Sequence, residues 1–340
     1  MKLFALLAGA GAATALLGWP RHGLLARWRE ARSAAARIRR EDALKHLLKC
    51  EANGSPATSL SLGGALGLRE GEAAALLRDL EARGLVSFAR GALALQPDGR
   101  EIALHVVRAH RLWERHLAEE TGVAEARWHR LAERQEHRLT PAEADALAAR
   151  LGHPLSDPHG DAIPAPGGEL SADDGQPLNA IATGQPFMLV HIEDEPEDVY
   201  AAILRLGLRP GMRGYVMGRS TAALRLWIEG REVELRPSMA QQLSARELHA
   251  VSRADLRGER TLADLPPGAR GGVIGLSASC RGAERRRLLD LGFVPGSVVE
   301  ARFASPAGDP TAYEVRGALV ALRRDQACHV RIAAEGEVAA

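Results

Sequence analysis

Aromatic side chains are scarce in this sequence, at 4% of residues, so any core has to be packed from Leu, Ala and Val. Cysteine is scarcer still. Cys50, Cys280 and Cys328 are the three present, and none forms a CxxC pair, which excludes a disulfide scaffold and argues against a zinc ribbon. Neither sign of charge is in excess: Lys+Arg number 44 and Asp+Glu 43, a formal net charge of +1. Net charge therefore points neither toward nor away from nucleic acid, and any basic patch is local. With 46% hydrophobic and 26% charged residues the composition is globular, not disordered or collagen-like. The 340 residues allow two to three domains of roughly 150 residues each.

What is present begins with residues 3–19, LFALLAGAGAATALLGW, whose polar side chains are Thr14 and the Trp19 indole. A helix over this run would rise about 25 Å, short for a hydrocarbon core of ~30 Å. Arg21, Arg27, Arg29, Arg32, Arg37, Arg39 and Arg40 follow, opposed by Glu30, while Lys2 stands alone in front. A cleaved signal peptide would need a small-residue cleavage site, which GWPRHG does not offer, and a buried or peripheral helix is the other alternative. The positive-inside rule favours a transmembrane anchor over residues 1–20 and a basic linker helix over 21–40. The expected location is the cytoplasmic face of the inner membrane, with the membrane as a partner.

Residues 26–52 read as a helix, basic and then amphipathic, with Ala43, Leu44, Leu47 and Leu48 at helical spacing. A short helix and turn over 59–68, a second helix over 70–83 closed by Gly84, and two alternating strands around Arg90-Gly91 give the pattern of a winged helix. A long helix is expected from 97 to 120 and another from 125 to 138, with a helix start at Thr140-Pro141. Residues 155–176, rich in Pro, Gly and Asp, read as a connector. Beyond them LRLGLRPG at 204–211 is echoed by LDLGFVPG at 289–296, each followed by strand-like segments. Each copy reads as a small β-barrel with one short helix.

Of the twelve histidines, His105, His110, His116, His129 and His137 crowd into one stretch. His110 and Glu114 lie four apart on one helix face, and Glu133, Glu136 and His137 share another, with His129 one turn before Glu133. Imidazole and carboxylate without thiolate suit borderline-to-hard divalent ions, Mn²⁺ or Fe²⁺, with Zn²⁺ or Ni²⁺ binding adventitiously. Glu and Arg at these spacings also suit a solvated face with i,i+4 pairs. No nucleophile–base pairing and no phosphate-cradling glycine loop is evident, so an enzyme is not expected.

The segments HRLWERHL from His110, HRLAERQEHRLTPAE from His129 and LGHPLSDPHGDAIP from Leu151 resemble the diphtheria-toxin-repressor family of metal-dependent regulators, with its manganese-responsive branch. The resemblance covers residues 40–164. It implies a winged helix-turn-helix over 41–98, a helical dimerisation and metal-binding domain over 99–165, a linker over 166–185 and an SH3-like domain over 186–250. A second resemblance, to the FeoA domain of ferrous-iron uptake systems, spans 258–333. The implied fold is α+β, ending in two SH3-like (FeoA-type) β-barrels. By position the family's primary metal site falls on Asp42, Glu133, Glu136 and His137, and its ancillary site on His110, Glu114 and His129. Lys45 stands where the manganese branch has another carboxylate. The acidic run Glu193–Asp198 lies near the place where some members complete the ancillary site.

The resemblance further implies a homodimer that binds double-stranded DNA when Mn²⁺ or Fe²⁺ is bound, controlling metal-ion homeostasis. The recognition helix would be EGEAAALLRDLEAR, which offers Glu and Ala where base readers need Arg, Asn, Gln, Ser or Thr. Arg69, Arg78 and Arg90 are left for the phosphate backbone. The alternative function is a membrane-anchored metal sensor that no longer reads DNA and regulates a ferrous-iron or manganese transporter through its FeoA-like part.

Overall fold

The computed structural model describes residues 24–89, 92–169, 175–258 and 260–334. These fall into two compact units: residues 24–89 and 92–109 with 135–142 and 164–169, and residues 110–134 with 143–163, 175–258 and 260–334.

The first unit opens with helix α1, Leu24–Ala52, which buries Ala43, Leu44, Leu47 and Leu48 and leaves its arginine-rich N-terminal half exposed. Helix α2, Ser59–Leu66, starts at a capping box. Thr58 Oγ1 accepts from the Ser61 N–H at 3.0 Å, and Ser61 Oγ accepts from the Thr58 N–H at 3.0 Å. Gly67, at φ +63, ends it in the left-handed conformation. Helix α3, Glu70–Ala82, is capped by Glu72, whose carboxylate accepts from the Arg69 N–H at 3.0 Å. Strands β1, Val86–Ala89, and β2, Ala92–Leu95, pair antiparallel. Leu44, Leu47, Leu62, Leu80, Val86 and Leu93 form the core beneath these elements. Helix α4, Pro97–Glu120, begins so close to the hairpin that a Cβ at Gly99 would lie 2.1 Å from the Leu85 carbonyl oxygen. Helices α5, Trp128–Glu136, and α6, Pro141–Arg150, follow, the former preceded by a 3₁₀ turn over Glu125–Arg127.

The rest of the second unit is two sheets with one plan. The first comprises β3 (Gln176–Pro177), β4 (Pro186–Ile192), α7 (Glu197–Arg205), β5 (Arg213–Arg219), β6 (Leu224–Ile228), β7 (Arg231–Leu235), α8 (Pro237–Ala240) and β8 (Leu243–Glu247). After helix α9 (Arg253–Gly258) the second repeats it with β9 (Arg260–Thr261), β10 (Arg270–Leu276), α10 (Gly282–Asp290), β11 (Val298–Ala304), β12 (Thr311–Val315), β13 (Ala318–Leu322), α11 (Arg324–Ala327) and β14 (Val330–Ala334). Strand orders are β3-β8-β4-β5-β6-β7 and β9-β14-β10-β11-β12-β13, so the repeat read in the sequence is a repeat of topology.

Two expectations are corrected. Neither sheet closes into a barrel: β3 and β7 in one, and β9 and β13 in the other, remain unpaired edges. The edge strands β3 and β9 have two residues each, too few backbone groups to pair with one neighbour and also bridge the gap to the far edge. Among the described residues no helix is long and apolar enough to cross a membrane. This overturns the single-pass anchor, the placement at the inner membrane, and the membrane and transporter partners. Residues 3–19, on which that reading rested, lie outside the described residues, as does Arg90. The first described helix instead carries Arg27, Arg29, Arg32, Arg37, Arg39 and Arg40, a charge density hostile to hydrocarbon.

Candidate metal centre

The second unit gathers donors from four segments around one buried carboxylate. Helical spacing on α4 sets His110 Nε2 3.2 Å from Glu114 Oε1, and Glu114 is 1% exposed. His129, near the start of α5, brings Nδ1 to 3.4 Å from the same oxygen and 2.8 Å from Asp194 Oδ2, in the loop after β4. The other oxygen, Glu114 Oε2, faces His159 Nε2 at 3.6 Å. His110, Glu114 and His129 form one group whose donor atoms all lie within 4.8 Å of one another, and Glu114, His159 and Asp194 form another sharing Glu114.

His159 sits on the stretch read from sequence as a connector, and local chemistry fixes it there. Asp157 Oδ1 accepts from the His159 and Asp161 backbone N–H groups at 2.8 and 2.9 Å, closing the turn. Gly160, at φ +100, lets the loop press on β4, where a Cβ would fall 1.8 Å from the Val190 carbonyl oxygen. Tyr200 then sets the ring. Its hydroxyl donates to Glu125 at 3.1 Å, so its oxygen accepts from His159 Nδ1–H at 3.0 Å. Arg209 holds Glu125 at 2.8 Å. With Nδ1 engaged, the lone pair of the neutral ring resides on Nε2, which is buried and makes no hydrogen bond. That orphaned atom is aimed at the buried Glu114 carboxylate.

Electrostatics follow from burial and crowding. Burial resists the charge on Glu114, but His110, His129 and His159 hold its carboxyl well below the usual range. Burial would lower His129, yet Asp194, Glu114 and Glu133 push it up to about 12. His159 rises to about 9 because Glu114, Asp157 and Asp194 outweigh its desolvation. Asp194, despite its burial, is drawn down to about 2 by His129. Burial, with Asp161 adjacent, lifts Asp157 to about 7.

A second cluster lies in the first unit. His137, just past α5, places Nε2 3.0 Å from Asp42 Oδ1 and 3.4 Å from Glu136 Oε1, and Nδ1 2.7 Å from Glu41 Oε2. Burial would lower His137, but Asp42 and Glu41 raise it to about 9. Lys45 Nζ meets both oxygens of Glu136, at 3.0 and 2.8 Å. Glu133 is not in this group: its carboxylate, 53% exposed, lies 3.5 Å from His129 Nε2. His105 binds the Leu139 carbonyl at 2.9 Å and His116 the Glu120 carboxylate at 2.8 Å, so neither joins a cluster. Sequence reasoning missed Glu41 and His159; Asp157-Pro-His-Gly-Asp161 was the available signal for the latter.

Residues 96–165 match the family model described as iron dependent repressor, metal binding and dimerisation domain, and residues 260–334 match the FeoA domain. A solved manganese-dependent transcriptional repressor, in complex with manganese, is 28% identical and superposes with a TM-score of 0.56, covering 62% of this chain and all of that one. Over these regions the chain is similar to metal-dependent transcriptional regulators of the diphtheria-toxin-repressor type. The ScaR structure with bound Zn²⁺, 23% identical with a TM-score of 0.53 over 62% of this chain and 99% of that one, shares the fold. A probable metal transport system membrane protein of Chlamydia trachomatis serovar D is 38% identical over 82 residues, 24% of this chain. The chain spans 18% of that relative's length.

Proposed function

We propose that the chain is a metal-dependent transcriptional regulator of that type, which senses Mn²⁺ or Fe²⁺ at the nest around Glu114, and that ion binding governs its hold on double-stranded DNA as a homodimer. The observation that carries this reading is His159 Nε2, buried, oriented through Tyr200 and left without a hydrogen bond beside a buried carboxylate. The donor set fits a dication. Three neutral imidazoles with Glu114 and Asp194 carry a charge of about −2, and no thiolate selects for softer ions. Donor separations of 2.8 to 3.6 Å match the roughly 3 Å edge between neighbouring ligands bound at about 2.1–2.2 Å. Zn²⁺ would bind the same donors more tightly, so the choice of ion rests on availability as well as geometry.

On the DNA side, α3 is the reading helix of the helix-turn-helix, and exposed Arg69 and Arg78 are suited to phosphate contacts. Glu72, which by charge alone would repel phosphate, is turned back onto the Arg69 N–H as a cap. Asp79 is paired with Arg40 at 3.3 Å and Arg83 at 2.9 Å, which lessens its repulsion too. Binding to a promoter-derived duplex library, titrated against salt with and without Mn²⁺, tests the reading. Metal-dependent preference for particular duplexes is expected. Equal weak affinity for every duplex, with or without metal, would refute it.

A further inference from the structure

In the first unit the cluster of Asp42, Glu136 and His137 already contains a cation. Lys45 lies one turn from Asp42 on α1, and its ammonium bridges both oxygens of Glu136, whose side chain is 2% exposed. A carboxylate that buried requires a partner of opposite charge, and Lys45 supplies it without an ion. The three remaining polar partners of His137 close the site: Asp42 and Glu41 on its two ring nitrogens, and Arg37 Nη1 on its carbonyl oxygen at 3.0 Å. We propose that Lys45 serves as a built-in cation in this cluster, locking α1 to the end of α5 and confining the regulator's tight divalent-ion binding to the nest around Glu114.

Two physical consequences follow. A dication brought to Glu136 would sit beside a fixed positive charge held within hydrogen-bond distance of the same oxygens, so it must displace Lys45 or endure the repulsion. The junction of α1 with α5 is also secured before any ion arrives, so ion binding has no need to order it. At the nest around Glu114 the contacts of the two carboxylates, Glu114 and Asp194, are instead with the rings of His110, His129 and His159.

This inference rests on the proposed function, since it presumes an ion at the nest. Mn²⁺ binding to the full chain, followed by the paramagnetic signal of the free ion, separates the possibilities. The wild-type chain and H137A are expected to bind the same number of tight ions, and E114Q none. Adding K45Q to E114Q is expected to create one tight site, at least about tenfold stronger than in E114Q alone. Hydrogen exchange over α1 should be unchanged by Mn²⁺ in the wild type. A tight ion that survives E114Q and disappears with H137A would overturn the inference, as would failure of K45Q to strengthen binding. If E114Q/K45Q does not fold, the comparison of wild type with H137A decides: a lost ion overturns the role of Lys45, and an unchanged number upholds it. A wild-type chain that binds no tight Mn²⁺ sinks the proposed function itself, a result distinct from all of these.

Discussion

Replacing Glu114 by Gln keeps the shape of the nest and removes the charge that three histidines share. The rise of His159 from its ordinary 6.5 to about 9 corresponds to roughly 3 kcal/mol of preference for the charged ring in the folded chain. Glu114 is the leading carboxylate in that rise, with Asp157 and Asp194 behind it, so about 2 kcal/mol is expected to go with it. A folded-state pKa raised above the unfolded one stabilises fully below the unfolded value and fades as pH climbs through the folded value. The metal-free E114Q chain should therefore be weaker than wild type by about 2 kcal/mol near pH 6, with this part of the difference gone above about pH 9. With Mn²⁺ at about 100 times its Kd, wild type gains about 2.7 kcal/mol and E114Q gains none of it. Urea denaturation at several pH values, with and without Mn²⁺, reads both effects. A pH-independent deficit together with an undiminished Mn²⁺ gain would refute the reasoning.

Binding of Mn²⁺ at pH 7.5 should release about two protons, one from His129 and one from His159, and fewer as pH passes about 9. Calorimetry in buffers of different ionisation enthalpy checks this, and a heat independent of buffer would count against it. Gly160→Ala places a side chain at φ +100 against the Val190 carbonyl and should cost at least about 1–3 kcal/mol and weaken Mn²⁺ binding, because His159 immediately precedes it. A variant with wild-type stability and affinity would show that the loop does not depend on that approach. Arg69→Ala and Arg78→Ala should each lower the salt slope of DNA binding by about 1, while slopes like the wild type's would remove both from the phosphate contacts.

Most of the secondary structure was legible because periodicity and local capping agreed. Thr58 and Ser61 mark the start of α2, Gly67 and Gly84 mark helix ends, and the alternation on either side of Arg90-Gly91 marks the hairpin. The doubled LxLG…PG motif announced two sheets of equal plan. It did not announce whether they close, since closure depends on edge strands as short as Gln176–Pro177, too short to leave a pattern. In the centre, His110 and Glu114 were readable at i,i+4 spacing because one helix holds both. His159 was not, because its role comes from a loop shaped by the Asp157 turn, Gly160 and the distant Tyr200 hydroxyl. Glu133 shows the opposite failure. It shares a helical stripe with Glu136 and His137, yet one turn of α5 separates it from them, and its carboxylate meets His129.

The most direct measurement is the anomalous diffraction of crystals of the full chain grown with Mn²⁺. A peak is predicted within the nest, about 2.2 Å from donors of Glu114, His159 and Asp194 or of His110 and His129. A well-ordered crystal with no peak there, and with the Glu114 oxygens still paired to the three histidine rings, would contradict metal sensing at this site.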